Sequence, residues 1–144
     1  MKIGFRRTGA AGFILVALVV NSCRDEAPVT TDSEMNSRVI GTWVVNDGPF
    51  SLYYMEKTYA PDGTATGFLL NRQTGKRIDF TSSWKIKDRR YTGGILSSSD
   101  PALPVGARFS TQVVKMSDKQ FITIQDGTGR VTLSHRKSRF AFFQ

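Results

Sequence analysis

Ser83-Trp84-Lys85-Ile86-Lys87 alternates without a break: Trp84 and Ile86 fall on one side of an extended chain, and Ser83, Lys85 and Lys87 on the other. Successive strand side chains point to opposite faces, so this is a strand with one buried face and one wet face. Asp88-Arg89 follows as a tight turn, and Arg90 to Leu96 is a second extended run. Strands joined by so short a link pair antiparallel.

The same reading extends in both directions. Upstream, Val39-Ile40-Gly41-Thr42-Trp43-Val44-Val45 is rich in β-branched residues and stops at Asn46-Asp47-Gly48-Pro49. Ser51 to Ala60 alternates aromatic and polar residues up to Pro61-Asp62-Gly63, and Thr64 to Arg72 closes at Gln73-Thr74-Gly75. Lys76 to Thr81 sets Ile78 and Phe80 on one face. Downstream, Arg108 to Met116 carries Phe109, Thr111 and Val113 on one parity. Phe121 to Gln125 groups Ile122 with Ile124. After the turn at Asp126-Gly127-Thr128-Gly129, Arg130 to Arg136 groups Val131 with Leu133. The period is two throughout, with no 3.6-residue period. The chain is therefore expected to be all-β: a small antiparallel up-and-down barrel or curled sheet of about eight strands. Ser97 to Ala107, with Pro101, Pro104 and Gly106, is the one long irregular stretch, expected to be a lid or a strand-crossing loop.

With the strands in place, four elements in order resemble the bacterial lipocalin-like family. These are Ile40-Gly41-Thr42-Trp43, Tyr59-Ala60-Pro61-Asp62-Gly63-Thr64, Trp84-Lys85-Ile86, and the closing pair Gln120 to Gln125 and Gly129 to Arg136. The resemblance covers residues 39–137 and implies a lipocalin-like barrel. It also implies that Trp43 fills the closed end and that an arginine of the last strand packs across its ring. Arg136 is the first candidate, ahead of Arg130 and Arg139. Gly41 would let the first strand bend sharply there, and the ring contact would combine packing with cation–π attraction. Eight strands leave room inside for side chains or one small ligand. The tail from Lys137 to Gln144, with Phe140, Phe142 and Phe143, is expected to pack against an open edge rather than to bind a partner.

The N-terminus is of another kind. Met1 to Arg7 is short and basic, Thr8 to Val20 is small and apolar, and Val20-Asn21-Ser22 precedes Cys23, the one cysteine of the chain. Thirteen apolar residues fall short of the roughly twenty that a membrane-spanning helix needs. The arrangement resembles a bacterial lipoprotein signal. That resemblance implies removal of residues 1–22, diacylation of Cys23 and tethering to the outer membrane. Arg24-Asp25-Glu26 resembles a surface-export address used by one group of Gram-negative bacteria, which implies display on the cell surface. Residues 23–37 read as the lipidated cysteine and a flexible tether, and 38–144 as the barrel domain. Loss of Lys2, Arg6 and Arg7 lowers the net charge from +8 to +5.

Catalysis has little to draw on. With Cys23 lipidated and His135 the sole histidine, neither a thiol–imidazole pair nor a His-rich metal site can form. His135 shares parity with Val131 and Leu133 and is expected at the core or rim. Asp47, Asp62, Asp100, Asp118 and Asp126 lie in turns, where they bond local backbone. Glu56 and Asp79 are the strand carboxylates. No metal, cofactor or enzymatic activity is expected. Lys76, Arg77, Lys85, Lys87, Arg89 and Arg90 cluster on adjacent strands and turns. They read either as a contact for anionic lipid or polysaccharide or as a solvated outer face, and nucleic acid is not an expected partner outside the cytoplasm.

Two functions remain at this point: a barrel that binds a small apolar ligand or envelope component, and an accessory subunit docked on another envelope protein. The barrel interior separates them. Small lining residues with an opening near 97–107 favour a ligand. A plug of Phe68, Leu70, Phe80, Trp84 and Phe109 favours the accessory role.

Overall fold

The computed structural model describes residues 29–46 and 51–137. Eight antiparallel strands follow one another round a closed barrel: β1 (Gly41–Asn46), β2 (Tyr53–Tyr59), β3 (Thr64–Asn71), β4 (Arg77–Lys87), β5 (Arg90–Ser98), β6 (Arg108–Met116), β7 (Gln120–Gln125) and β8 (Val131–Arg136). Each strand pairs with the next, and β8 closes on β1 with Trp43 opposite Arg136. The all-β, up-and-down expectation holds. The runs read separately over 76–81 and 83–87 are one strand, β4. Ser82 is fully buried on its inner face, and this polar residue interrupts the apolar alternation in sequence but not in space.

One end of the barrel is closed by a helix, α1 (Asp32–Val39), in a segment expected to be a flexible tether. Over the described residues 29–37 that expectation is corrected: the fold includes Val29, whose N–H donates to the Met116 carbonyl at 3.0 Å. Thr31-Asp32-Ser33-Glu34 has the residue pattern of a capping box, with Thr31 as the N-cap. Thr31 Oγ1 accepts from the Glu34 N–H at 3.3 Å and donates to the Glu34 carboxylate at 2.9 Å. Met35 and Val39, one turn apart, are fully buried against the barrel base. The Asn36 side chain pairs with both backbone groups of Ile86. Asp32 accepts the N–H groups of Asp88 and Arg89 at 2.6 and 3.1 Å. Those two residues form the β4–β5 turn with φ of 51° and 57°, the left-handed backbone that a two-residue hairpin demands.

The core gathers at this base. Trp43 donates its indole N–H to the Val39 carbonyl at 2.7 Å and meets Phe121 edge-on at 5.9 Å. Arg136 lies 4.5 Å above the Trp43 ring and donates to the carbonyls of Ile40, Asp118 and Arg38. Gly41 is at φ +117°, and a Cβ there would sit 2.7 Å from the guanidinium. The three residues form one packing unit. Arg130, the second candidate, lies at the opposite end of β8; Arg139 lies outside the described residues.

The inner faces of β7 and β8 differ from expectation. Phe121, Thr123, Thr132 and Ser134 point inward, while Ile122, Ile124, Val131, Leu133 and His135 face out, Val131 being 56% exposed. The closing register sets this: with Trp43 inward and Arg136 across from it, Ser134 and Thr132 must share the inner parity. His135 is thus an exposed outer-wall residue, not a core one.

Candidate functional site

Above the base, the barrel keeps a cavity of about 270 Å³. Val45, Met55, Leu69, Ile95 and Leu103 supply apolar surface; Phe80, Phe109 and Phe121 supply rings; Thr111, Thr123, Thr132 and Ser134 supply hydroxyls. Phe80, Trp84 and Phe109 do lie on the inner side, but they do not fill it. Phe68 and Leu70 are corrected to the outer wall, where Arg77 stacks over the Phe68 ring at 3.9 Å. Leu103 comes from the β5–β6 connection, which folds over the rim. Its course is held by Gly106 N–H to the Ile95 carbonyl at 2.8 Å, Ser99 N–H to the Asp79 carbonyl at 2.9 Å, and a Lys76–Asp100 ion pair at 2.6 Å. The expected lid is therefore a pinned flap. A wider, shallow depression of about 670 Å³ runs along β5 and β6, bordered by Gly94, Leu96 and Arg108.

The chemical centre of the cavity is Lys57, on the inner face of β2 and only 6% exposed. Its ammonium donates to the Tyr91 hydroxyl at 2.7 Å, and Tyr91 and Tyr59 share a hydrogen bond at 3.0 Å. Four rings surround the charge, with centroids at 4.7 Å (Phe109), 5.0 Å (Tyr59), 5.5 Å (Tyr91) and 5.9 Å (Phe80). Burial pulls the Lys57 pKa down from 10.5 to about 7, because the charged form loses its hydration. The same burial pushes Tyr59 up to about 12 and Tyr91 well above its ordinary value. Among the described residues no acidic side chain lines the cavity. A buried ammonium facing rings and phenols, without a carboxylate, is an uncommon arrangement.

Gly93 makes the ring packing feasible. It lies on β5 opposite Phe109, and a Cβ there would stand 2.2 Å from the Ser83 carbonyl oxygen and 2.4 Å from the Phe109 ring. The absent side chain lets Phe109 lean across the strand, stacked on Tyr91 at 5.2 Å.

The six basic residues do not form one patch. Lys76 and Arg77 stand at the rim end of β4 and pair with Asp100 and Asp79. Lys85, Lys87, Arg89 and Arg90 stand near the base, about 30 Å along a strand from Arg77 to Lys87. There Arg89 donates to the carbonyls of Val113 and Val114, and Arg90 pairs with Asp126. Lys85 and Lys87 are exposed on this strand, and the Lys87 charge helps to lower the pKa of Asp32. Glu56 and Asp79 both face outward and bind Lys137 and Arg77. Among the described residues no cluster of His, Cys, Asp and Glu could hold a metal ion, and no helix is long and apolar enough to cross a membrane. Cys23, Arg24-Asp25-Glu26 and the Phe-rich tail lie outside the described residues.

No family model and no curated protein matches the chain. A solved structure does. It is an NMR structure of a protein from Bacteroides thetaiotaomicron VPI-5482, 13% identical, with a TM-score of 0.44, over 72% of this chain and 92% of that one.

Sequence reasoning missed Lys57, Tyr59 and Tyr91 as a group. One signal was present: Tyr53, Met55, Lys57 and Tyr59 share a parity, so a lysine stands in an otherwise apolar and aromatic row.

Proposed function

We propose that this is a lipid-anchored cell-envelope protein whose lipocalin-like barrel binds a small, largely apolar ligand. The cavity carries this reading. It is closed at the base by Trp43 and the rings around it, roofed by Leu103, and lined mostly by apolar and aromatic groups, with a few polar ones at defined places. That composition suits small-molecule recognition. Its volume lies just below the range for drug-sized ligands, about 300–1,000 Å³, so the occupant is compact or slender. The alternative of an accessory subunit docked on another envelope protein loses its main expected support, since the interior is not plugged.

Binding is tested by titrating the chain with Nile red and displacing the dye with decanol. A Thr123→Phe variant, which projects a ring into the cavity, should lose most of the signal at unchanged melting temperature. Dye binding that ignores this variant would place the site elsewhere. The anchor is tested by mass spectrometry of the mature chain, which should begin at a diacylglyceryl Cys23. Membrane tethering at the cell surface would follow from accessibility to protease on intact cells, with loss of that accessibility when Arg24, Asp25 and Glu26 are all changed to alanine.

A further inference from the structure

We propose that the ligand is a monocarboxylate amphiphile, held head-down with its carboxylate on Lys57 Nζ and the Tyr59–Tyr91 phenol pair and its apolar tail toward Leu103. The inference deepens the ligand-binding reading and rests on it.

Three features of the cavity support this orientation. Lys57 sits two residues from the base end of β2, so the charge is deep. Met55, Leu69, Ile95 and Leu103 give the tail an apolar path toward the rim. Beside the head position stands Thr111, the Cα partner of Tyr91 across β5 and β6, whose Oγ1 is buried and has no hydrogen-bond partner. Natural cores rarely leave such a group unsatisfied.

The proton count is one-sided. An ammonium carries three donor protons and each phenol one. Lys57 gives one proton to Tyr91, and the two phenols share one bond. Two ammonium protons and one phenolic proton therefore remain, together with the Thr111 hydroxyl, in a cavity where the described lining has no acidic group. A surplus of donors around one positive charge calls for an acceptor with one negative charge. The aromatic faces stabilise the cation in the meantime, but they accept no conventional hydrogen bond.

Protonation should couple to binding. Lys57 is part neutral near pH 7 in the ligand-free protein, and a bound carboxylate favours the charged form. Among the described residues the other titratable groups facing it are Tyr59 on its own strand and Tyr91 on β5, and the remaining six strands contribute none to the lining. Above pH 7, binding must then take up a proton, and carboxylate affinity should fall by about tenfold per pH unit.

The test uses residues 23–144 with Cys23→Ser, so that no acyl chain competes, and isothermal titration calorimetry with decanoate and decanol at pH 6 and pH 9. The expected result at pH 6 is a preference of roughly 10- to 100-fold for decanoate, as for a hydrogen bond to a charged group. At pH 9 the preference should be largely lost, while decanol binds equally at both. Lys57→Met should abolish the preference of the acid over the alcohol. Equal affinity for acid and alcohol in the wild-type chain, or a preference that survives pH 9 or Lys57→Met, overturns the carboxylate assignment and leaves the cavity reading standing. Binding of neither probe overturns the cavity reading itself. The acid–alcohol comparison on the unaltered cavity needs no variant and holds even if Lys57→Met fails to fold.

Discussion

Replacing Lys57 by methionine should stabilise the ligand-free protein, and the gain should depend on pH. Methionine matches the length of the stem and fills irregular apolar space, so the main change is removal of a buried charge. In the unfolded chain Lys57 titrates near 10.5, whereas burial in the folded barrel lowers it to about 7. Between these values the unfolded state binds more protons, so wild-type stability rises with pH across that window and the full cost of the charge is felt below pH 7. The difference between the two values corresponds to at most about 5 kcal/mol, less whatever cavity water recovers. By pH 9 the difference should have fallen to about 2 kcal/mol. The lost hydrogen bond to Tyr91, worth about 1 kcal/mol, acts in the opposite direction and varies little with pH. Urea melts at pH 5, 7 and 9 would decide the matter. The range stops short of the ionisation of unfolded tyrosines near pH 10, where the raised Tyr59 and Tyr91 would destabilise the fold. A variant less stable than wild type at pH 5, or a difference flat from pH 5 to 9, would falsify the claim that Lys57 is an uncompensated buried cation kept for a ligand.

Trp43→Ala should cost about 3–5 kcal/mol as a core aromatic truncation, and Arg136→Ala about 0.5–2 kcal/mol through its cation–π contact. A urea double-mutant cycle should show the two effects non-additive, because the guanidinium lies 4.5 Å from the ring; simple additivity would remove the base unit. Gly93→Ala should cost about 1–3 kcal/mol by overpacking and weaken Nile red binding, since Phe109 must swing into the cavity; a neutral effect would mean the β4–β5 wall can shift. Asp32→Ala should speed amide exchange at Asp88 and Arg89. The bonds from those amides hold the Asp32 carboxyl below its ordinary 3.8. Its stabilising effect is therefore complete above that value and lost as pH falls through the lower, folded one. A wild-type-to-variant difference that persists in strong acid would contradict this.

Much of the fold is legible in local pattern. Period-two runs separated by Asp, Gly and Pro turns allow only antiparallel strands, because each depends on a few neighbouring residues; the pairing of Trp43 with Arg136 at the base came only as an implication of the family resemblance, since it joins the first strand to the last. Helix α1 was also legible in principle. Its capping-box pattern, Thr31 to Glu34, and the Met35–Val39 pair lie in a polar stretch too short for a 3.6-residue period to stand out. Which face of β7 and β8 turns inward was decided only by closure. Alternation marks two unlike faces, but threonine and serine inside against isoleucine and valine outside invert the usual cue. The basic residues that sequence placed together are divided between two ends of a long strand. Lys57 is the clearest case. A lysine ordinarily faces water, and only the ring of eight strands brings Phe80, Tyr91 and Phe109 around this one from three other strands, beside Tyr59 on its own. Local sequence determines how each strand alternates. Burial of a charge depends on contacts among residues far apart in the chain, and only the closed barrel supplies them.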